Sequence, residues 1–248
     1  MGNYHSGIER ITSSGLKILM HKSPAHYYAK YADAVPDVPT RSKVLGSVTH
    51  AVILEGEDVA VSRYGVAPSN PGTKGYDTWL KENDGLEGGL KPEDWDVVRQ
   101  MRDSLYGVKD FRDLIEQSGK AEQTIEWTDP ITGAACKCKP DWLANDGSLM
   151  IDLKTARDAS LKGFQRAIRM FDYDLSAAFY LGGVEMHLGK LPGWLWVVVE
   201  NEPPYAPAIY EITPHTLSDG ESKVYRGLDI YTKCIAEGAW PSYPRTAI

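Results

Sequence analysis

Apolar positions recur at helical spacing from Thr12 to Ala34, where Ser13-Ser14-Gly15 and Ser23-Pro24-Ala25-His26 mark two helix starts. Ser23 fits an N-cap followed by proline at the first helical position. Residues 35–40 (VPDVPT) read as a loop. Arg41 to Glu55 follows, and its apolar Val44, Val48, Ala51, Val52 and Leu54 predict a core helix. Residues 64–90 are rich in Gly, Pro and Asn and predict a long excursion without regular structure. Helical spacing returns from Pro92 to Ser118 through Trp95, Val98, Met101, Leu105, Leu114 and Ile115.

The period then shortens. Thr124–Thr128, Ala134–Leu143 and Leu149–Thr155 predict three strands of an antiparallel meander, with Asp129-Pro130 to Gly133 as the first turn. Helices are expected at about 161–170 and 175–188, strands at 194–200 and 205–212, and a last helix at about 217–236. This order predicts an α/β or α+β fold with a central mixed sheet flanked by helices. The 248 residues suit a single domain over 1–248, mainly helical over 1–120, with the sheet and its helices over 121–248.

Composition narrows the class. Hydrophobic residues make up 42% and charged residues 25%, which is enough apolar material for a real core. No apolar run reaches the ~18 residues that span a bilayer, and the N-terminus lacks a basic-then-apolar signal pattern. The three cysteines (Cys136, Cys138, Cys234) are too few for a disulfide framework or a four-thiolate cluster. A cytoplasmic location is expected. The formal charge of -7 argues against generic nucleic-acid binding, but the charge is uneven. Lys162, Arg166 and Arg169 fall on one helix face, close after Lys154 and Arg157. They form either a solvated surface or a stripe that tracks phosphates.

One hairpin carries candidate chemistry: KPDWLANDGSLMIDLKTA, residues 139–156. A type I′ turn centred on Asp146-Gly147 would set Asp141 opposite Asp152 and Lys139 opposite Lys154, all on one face. Cys138, Pro140, Ile151 and Leu153 would take the other. Opposed residues stand about 4.5–5.5 Å apart between Cβ atoms, and like charges there destabilise a sheet. A divalent cation shared by the two aspartates would resolve the conflict, with Lys154 beside it. A hairpin whose charges face water is the alternative. A one-residue slip, or a turn centred elsewhere, would break this pairing.

Pro140-Asp141, ten intervening residues, then Asp152-Leu153-Lys154 resembles the PD-(D/E)XK nuclease signature. KVLGSVTHAVILE (43–55) resembles the histidine-bearing helix of RecB-type and RecE-type nucleases, and YDLSAAFYLGG (173–183) resembles a later helix of that group. The two ends of the chain, YHSGIERITSSGLKILMHKSPAHYY and VVVENEPPYAPAIYEI with GAWPSYP, resemble phage proteins related to the exonuclease VIII C-terminal domain.

The resemblance implies a restriction-endonuclease-like core and a Mg²⁺-dependent exonuclease on linear double-stranded DNA, with Mn²⁺ able to substitute. It implies 5′→3′ digestion, 3′ overhangs for a RecT-like annealing protein, and a trimeric or tetrameric ring. By position it makes His50, Asp141, Asp152 and the Leu153 carbonyl metal ligands and Lys154 the catalytic lysine. Glu122 would complete the site, with Glu126 as the competing choice. Lys137, Lys139, Arg157, Lys162, Arg166, Arg169 and Tyr180 would meet DNA. Read without the resemblance, His50 is a structural histidine and Tyr180 a residue at the core boundary. Relatives usually carry Gln four residues before that tyrosine, where this chain has Ser176. Two other readings stay open: a nuclease of the same fold with another polarity or substrate, and a non-catalytic DNA-binding module.

Overall fold

A computed structural model describes residues 7–33, 35 and 40–243. Most of the expected 35–40 loop lies outside them, as do residues 4–6 and 244 of the two end segments.

The first helical stretch is two helices, α1 (Ser13–His21) and α2 (Pro24–Tyr31). Thr12 caps α1 by accepting from the Gly15 N–H, and Pro24 opens α2. The core helix is α3 (Arg41–Leu54), capped by Thr40 and followed by the short α4 (Glu57–Arg63).

The predicted excursion at 64–90 is regular instead. It holds β1 (Tyr64–Val66), α5 (Lys74–Glu82) and β2 (Gly88–Leu90), with β1 and β2 paired in parallel. Glycine here serves close packing. A Cβ at Gly89 would stand 2.3 Å from Trp79, whose ring covers the strand pair. The Tyr76 hydroxyl accepts from the Gly89 N–H at 2.9 Å.

The next helical stretch breaks at Gly107 into α6 (Pro92–Gly107) and α7 (Lys109–Ile115). A short strand that the pattern did not predict follows, β3 (Gly119–Ala121). The meander is β4 (Ile125–Thr128), β5 (Ala135–Cys138), β6 (Trp142–Ala144) and β7 (Leu149–Ala156). The remaining elements are α8 (Leu161–Phe171), α9 (Tyr173–Leu188), β8 (Gly193–Glu200), β9 (Pro207–Glu211) and α10 (Pro214–Glu237).

The single strand expected over 134–143 is thus two strands in two sheets. β5 pairs with β4 in a separate hairpin, while β6 joins the five-stranded central sheet β3-β6-β7-β8-β9. The break falls at Pro140, which has no N–H to give a ladder. Within the central sheet β7 and β8 are parallel and the other pairs antiparallel.

Side chains alternate between two cores, one on each face. Met150, Trp194, Trp196 and Val198 join α1, α2, α8, α9 and α10 in one. Ile151, Leu153, Val197 and Val199 join α3, α6 and α7 in the other. This two-sided cover accounts for the continuous apolar run of β8. Cys136 and Cys138 are fully buried in the first core, so Cys138 does not share a core with Ile151 and Leu153. Among the described residues no helix is long and apolar enough to cross a membrane.

Candidate active site

The hairpin keeps its expected register but not its expected turn. Trp142 pairs with Ile151 and Leu143 with Met150, which extrapolates to Asp141 opposite Asp152. The Gly147 N–H donates to the Ala144 carbonyl at 2.9 Å, so Asn145 and Asp146 are the central residues. Gly147 takes the left-handed position, at φ +69°. Both faces of the two strands are buried, and the pairing follows which core each side chain joins: Leu143 and Met150 lie in the first, Trp142 and Ile151 in the second.

Past Ile151 the two neighbours of β7 differ. β8 pairs with it from Leu149 through Ala156, whereas β6 pairs only with Met150 and Ile151. The far half of β7 therefore presents an open edge. There the Leu153 N–H donates to Asp141 Oδ2 at 2.7 Å, so a side chain takes the place of a missing strand. The Leu153 carbonyl accepts from Lys154 Nζ at 3.4 Å. The expected pairing of Lys139 with Lys154 does not occur. The ladder has ended at Pro140, and Lys139 instead forms an ion pair with Glu122.

Two further groups reach this edge. His50 comes from α3, whose Val48, Ala51 and Val52 are buried in the second core. Its Nδ1 stands 3.4 Å from Asp141 Oδ1. Glu122 follows β3 directly, in a left-handed conformation (φ +55°) that non-glycine residues seldom adopt. Its N–H is held by the Pro140 and Asp141 carbonyls at 3.2 and 3.3 Å. One ligand atom each from His50, Glu122 and Asp141 lie within 4.8 Å of one another. Asp152 lies outside that group, with its Oδ2 2.5 Å from Lys154 Nζ.

Each acid thus faces one base: Asp141 with His50, Glu122 with Lys139, and Asp152 with Lys154. Burial raises the pKa of Asp152 and of Glu122, and their cationic partners offset this only in part. Burial would also raise Asp141, but the His50 charge and hydrogen bond, then Lys154 and the Leu153 N–H, bring it down to about 2. For His50 and Lys154 burial disfavours the charge, yet the nearby aspartates outweigh it and both pKa values rise.

The donor set suits a hard divalent cation: carboxylate oxygens, one imidazole and an edge carbonyl. The buried Asp152 Oδ2 is held by Lys154 Nζ at 2.5 Å, so a cation bound there would share the carboxylate with the ammonium.

The family model of a PDDEXK-like domain of unknown function (DUF3799) matches residues 12–247. The chain belongs to that PDDEXK-like family. A structure from Eubacterium rectale, described as a candidate exonuclease, is similar at TM-score 0.67 and 15% identity, covering 96% of this chain and 91% of that one. A phage-related exonuclease from Haemophilus somnus gives TM-score 0.40 at 12% identity, covering 93% of this chain and 96% of that one. The sequence finds no significant match among curated proteins. Family and fold place the chain in the PD-(D/E)XK nuclease superfamily.

The other expected residues of this PDDEXK-like chain are spread more widely. Lys162, Arg166 and Arg169 are exposed on α8 and Arg157 is exposed just before it, with Arg166 3.2 Å from Asp158. Lys137 lies on β5 opposite Glu126. Glu126, the competing choice for the site, is half exposed, 3.2 Å from Arg10 and away from the cluster. Tyr180 packs against the first core, edge-on to Trp194 at 6.1 Å. Ser176 is half-buried on the same helix.

Two neighbours of Lys154 escaped the sequence reading. The Tyr173 ring lies 5.2 Å from Lys154 Nζ, and Lys17 of α1 stands 5.5 Å from the same ring. Tyr173 begins the segment YDLSAAFYLGG, so its motif was visible although its role was not. Nothing local distinguishes Lys17 from a surface lysine.

Proposed function

We propose that the protein is a Mg²⁺-dependent exonuclease that digests linear double-stranded DNA 5′→3′ and leaves 3′ overhangs. The observation that carries this reading is the open edge of β7, where His50, Glu122 and Asp141 converge beside Asp152 and Lys154. The description of the Eubacterium rectale fold relative supports an exonuclease, and the segment likenesses support the polarity.

His50, Glu122, Asp141, Asp152 and the Leu153 carbonyl would hold the cation. Bound there, it would supply Lewis-acid polarisation of the scissile phosphate and a water of lowered pKa. Lys154, charged because its pKa is raised, steadies the negative charge that develops on the phosphate. His50 positions Asp141, and Asp141 ties the edge of β7 in place through Leu153. The α8 face of Lys162, Arg166 and Arg169, with Arg157, Lys137 and Lys139, neutralises the backbone of the bound duplex, while Tyr180 supports the strand end. Mn²⁺ substitutes for Mg²⁺. The protein works in the cytoplasm as a ring of three or four copies and passes its overhang to a RecT-like annealing protein.

The test compares linear duplex labelled at the 5′ or the 3′ end with a closed circle, each with Mg²⁺ and with chelator. Early release of the 5′ label from the linear duplex, abolished by chelator, is the expected result. Cutting of the circle would replace the exonuclease with an endonuclease. No metal-dependent cleavage of any DNA would leave a binding module.

A further inference from the structure

Asp152 and Lys154 alternate with Met150 on β7 and so face the first core, toward α1 and α9. Across that face stands a second ammonium. Lys17 is half-buried on α1 and shares the Tyr173 ring with Lys154.

The acids around it are engaged elsewhere. Asp172 pairs with His21 and, at 2.8 Å, with Lys223. Asp174 pairs with Lys223 at 2.7 Å, and Asp152 pairs with Lys154. Among the described residues no ion pair includes Lys17. Lys17 is thus a half-buried cation without a directly bonded carboxylate, and Asp152, Asp172 and Asp174 reach it only through space while each bonds another cation. Burial first, and then the charge of Lys154, lower the Lys17 pKa to about 8 against the opposing pull of Asp152, Asp172 and Asp174.

Such an arrangement suits a ligand that brings negative charge. The cluster of His50, Glu122 and Asp141 reaches the β7 edge from α3 and from the residue after β3. A strand whose scissile phosphate sits between that cluster and Lys154 continues toward either the Lys17 side or open solvent. Only the first course gives Lys17 a directly bonded anion.

We propose that Lys17 binds the backbone phosphate next to the one cleaved, making α1 part of the nucleic-acid site. This rests on the nuclease reading above. The contact is to an internal phosphodiester and is independent of the chemistry of the strand end.

The test uses the full chain and a linear duplex with 5′-hydroxyl ends, so that no terminal phosphate is present. Binding is measured in Ca²⁺ over a range of salt, and single-turnover cleavage in Mg²⁺. Lys17→Met is expected to weaken binding by about tenfold and to lower the salt slope by about one ion, with cleavage falling in step at sub-saturating enzyme. Lys17→Arg restores both. A merely structural lysine would change the melting temperature without moving the salt slope. Lys17→Gln, which keeps a polar end, is carried through the same measurements so that the result does not depend on how well the Met variant folds. Wild-type binding and salt slope in both neutral variants would overturn the proposal while leaving the nuclease intact, as would an Arg variant no better than Met. A wild-type protein that neither binds nor cuts DNA would overturn both readings.

Discussion

Asp141 Oδ2 accepts a hydrogen bond from the Leu153 N–H at 2.7 Å. One carboxylate therefore both closes the half-paired edge of β7 and faces His50. The two tasks separate by substitution. Asp141→Asn retains an oxygen acceptor for Leu153 and is expected to fold normally, yet to lose cleavage by on the order of 10²–10³-fold. Asp141→Ala strands the Leu153 N–H as well and should cost about 1–3 kcal/mol in denaturant unfolding. Equal stability of the two variants would contradict the edge-closing role.

Metal affinity should depend on His50. Its pKa is raised because the charge and hydrogen bond of Asp141 outweigh burial. An imidazolium has no lone pair to give, so the cation competes with the proton. Affinity is full above the raised pKa and falls as pH drops through it. Calorimetric titration of Mg²⁺ or Mn²⁺ from neutral to weakly acidic pH should show this fall, with proton release on binding. A flat profile in the weakly acidic range would remove His50 from the ligand set.

Asp152 offers a contrast between stability and activity. Burial raises its pKa, so as a carboxylate at neutral pH it works against the metal-free fold. Asp152→Asn is therefore expected to keep the melting temperature of the chelated protein within a few degrees, about 1 kcal/mol in stability. The rise in melting temperature that Mg²⁺ gives the wild type should vanish, and cleavage with it. A variant that still gained stability from Mg²⁺ would show that Asp152 is not a ligand.

The junction of α8 and α9 makes a purely structural prediction. Lys223 bonds both Asp172 and Asp174, which are buried. Lys223→Met leaves two buried acids short of a partner and should cost about 3 kcal/mol. Burial works to raise the Asp172 pKa, but the Lys223 and His21 hydrogen bonds outweigh it and the net shift is down. Its stabilising contribution is thus complete above the ordinary carboxylate range and disappears as pH falls through the depressed value. Unfolding curves of wild type and variant should converge at acid pH.

The sequence reading takes the hairpin register from a turn centred on Asp146-Gly147, and the register holds although that turn does not, because side chains of the two strands sort into the two cores. Asn145 and Asp146 at the centre of the turn left Trp142 opposite Ile151. The break between β5 and β6 also had a visible signal in Pro140, outweighed in a reading by strand period alone. Glu122 could be picked out by likeness to relatives, but its left-handed backbone depends on carbonyls supplied by Pro140 and Asp141. Lys17 was beyond reach because its meaning depends on Tyr173 and Lys154, far along the chain. The order within 64–90 was hidden for a related reason. Gly65 and Gly89 suggest a loop by composition until Trp79 is seen covering them.

The one-sided support of β7 also has a consequence for the order of events during synthesis. Its full-length neighbour, β8, ends at Glu200, so the strand bearing Asp152 and Lys154 has no lasting place until the chain has been made that far. His50 stands 72 residues before Glu122 and 91 before Asp141, so the three meet only when non-local contacts close, which is the slow part of folding. A growing chain that has not yet reached β8 therefore lacks the strand that holds Asp152 and Lys154 in place.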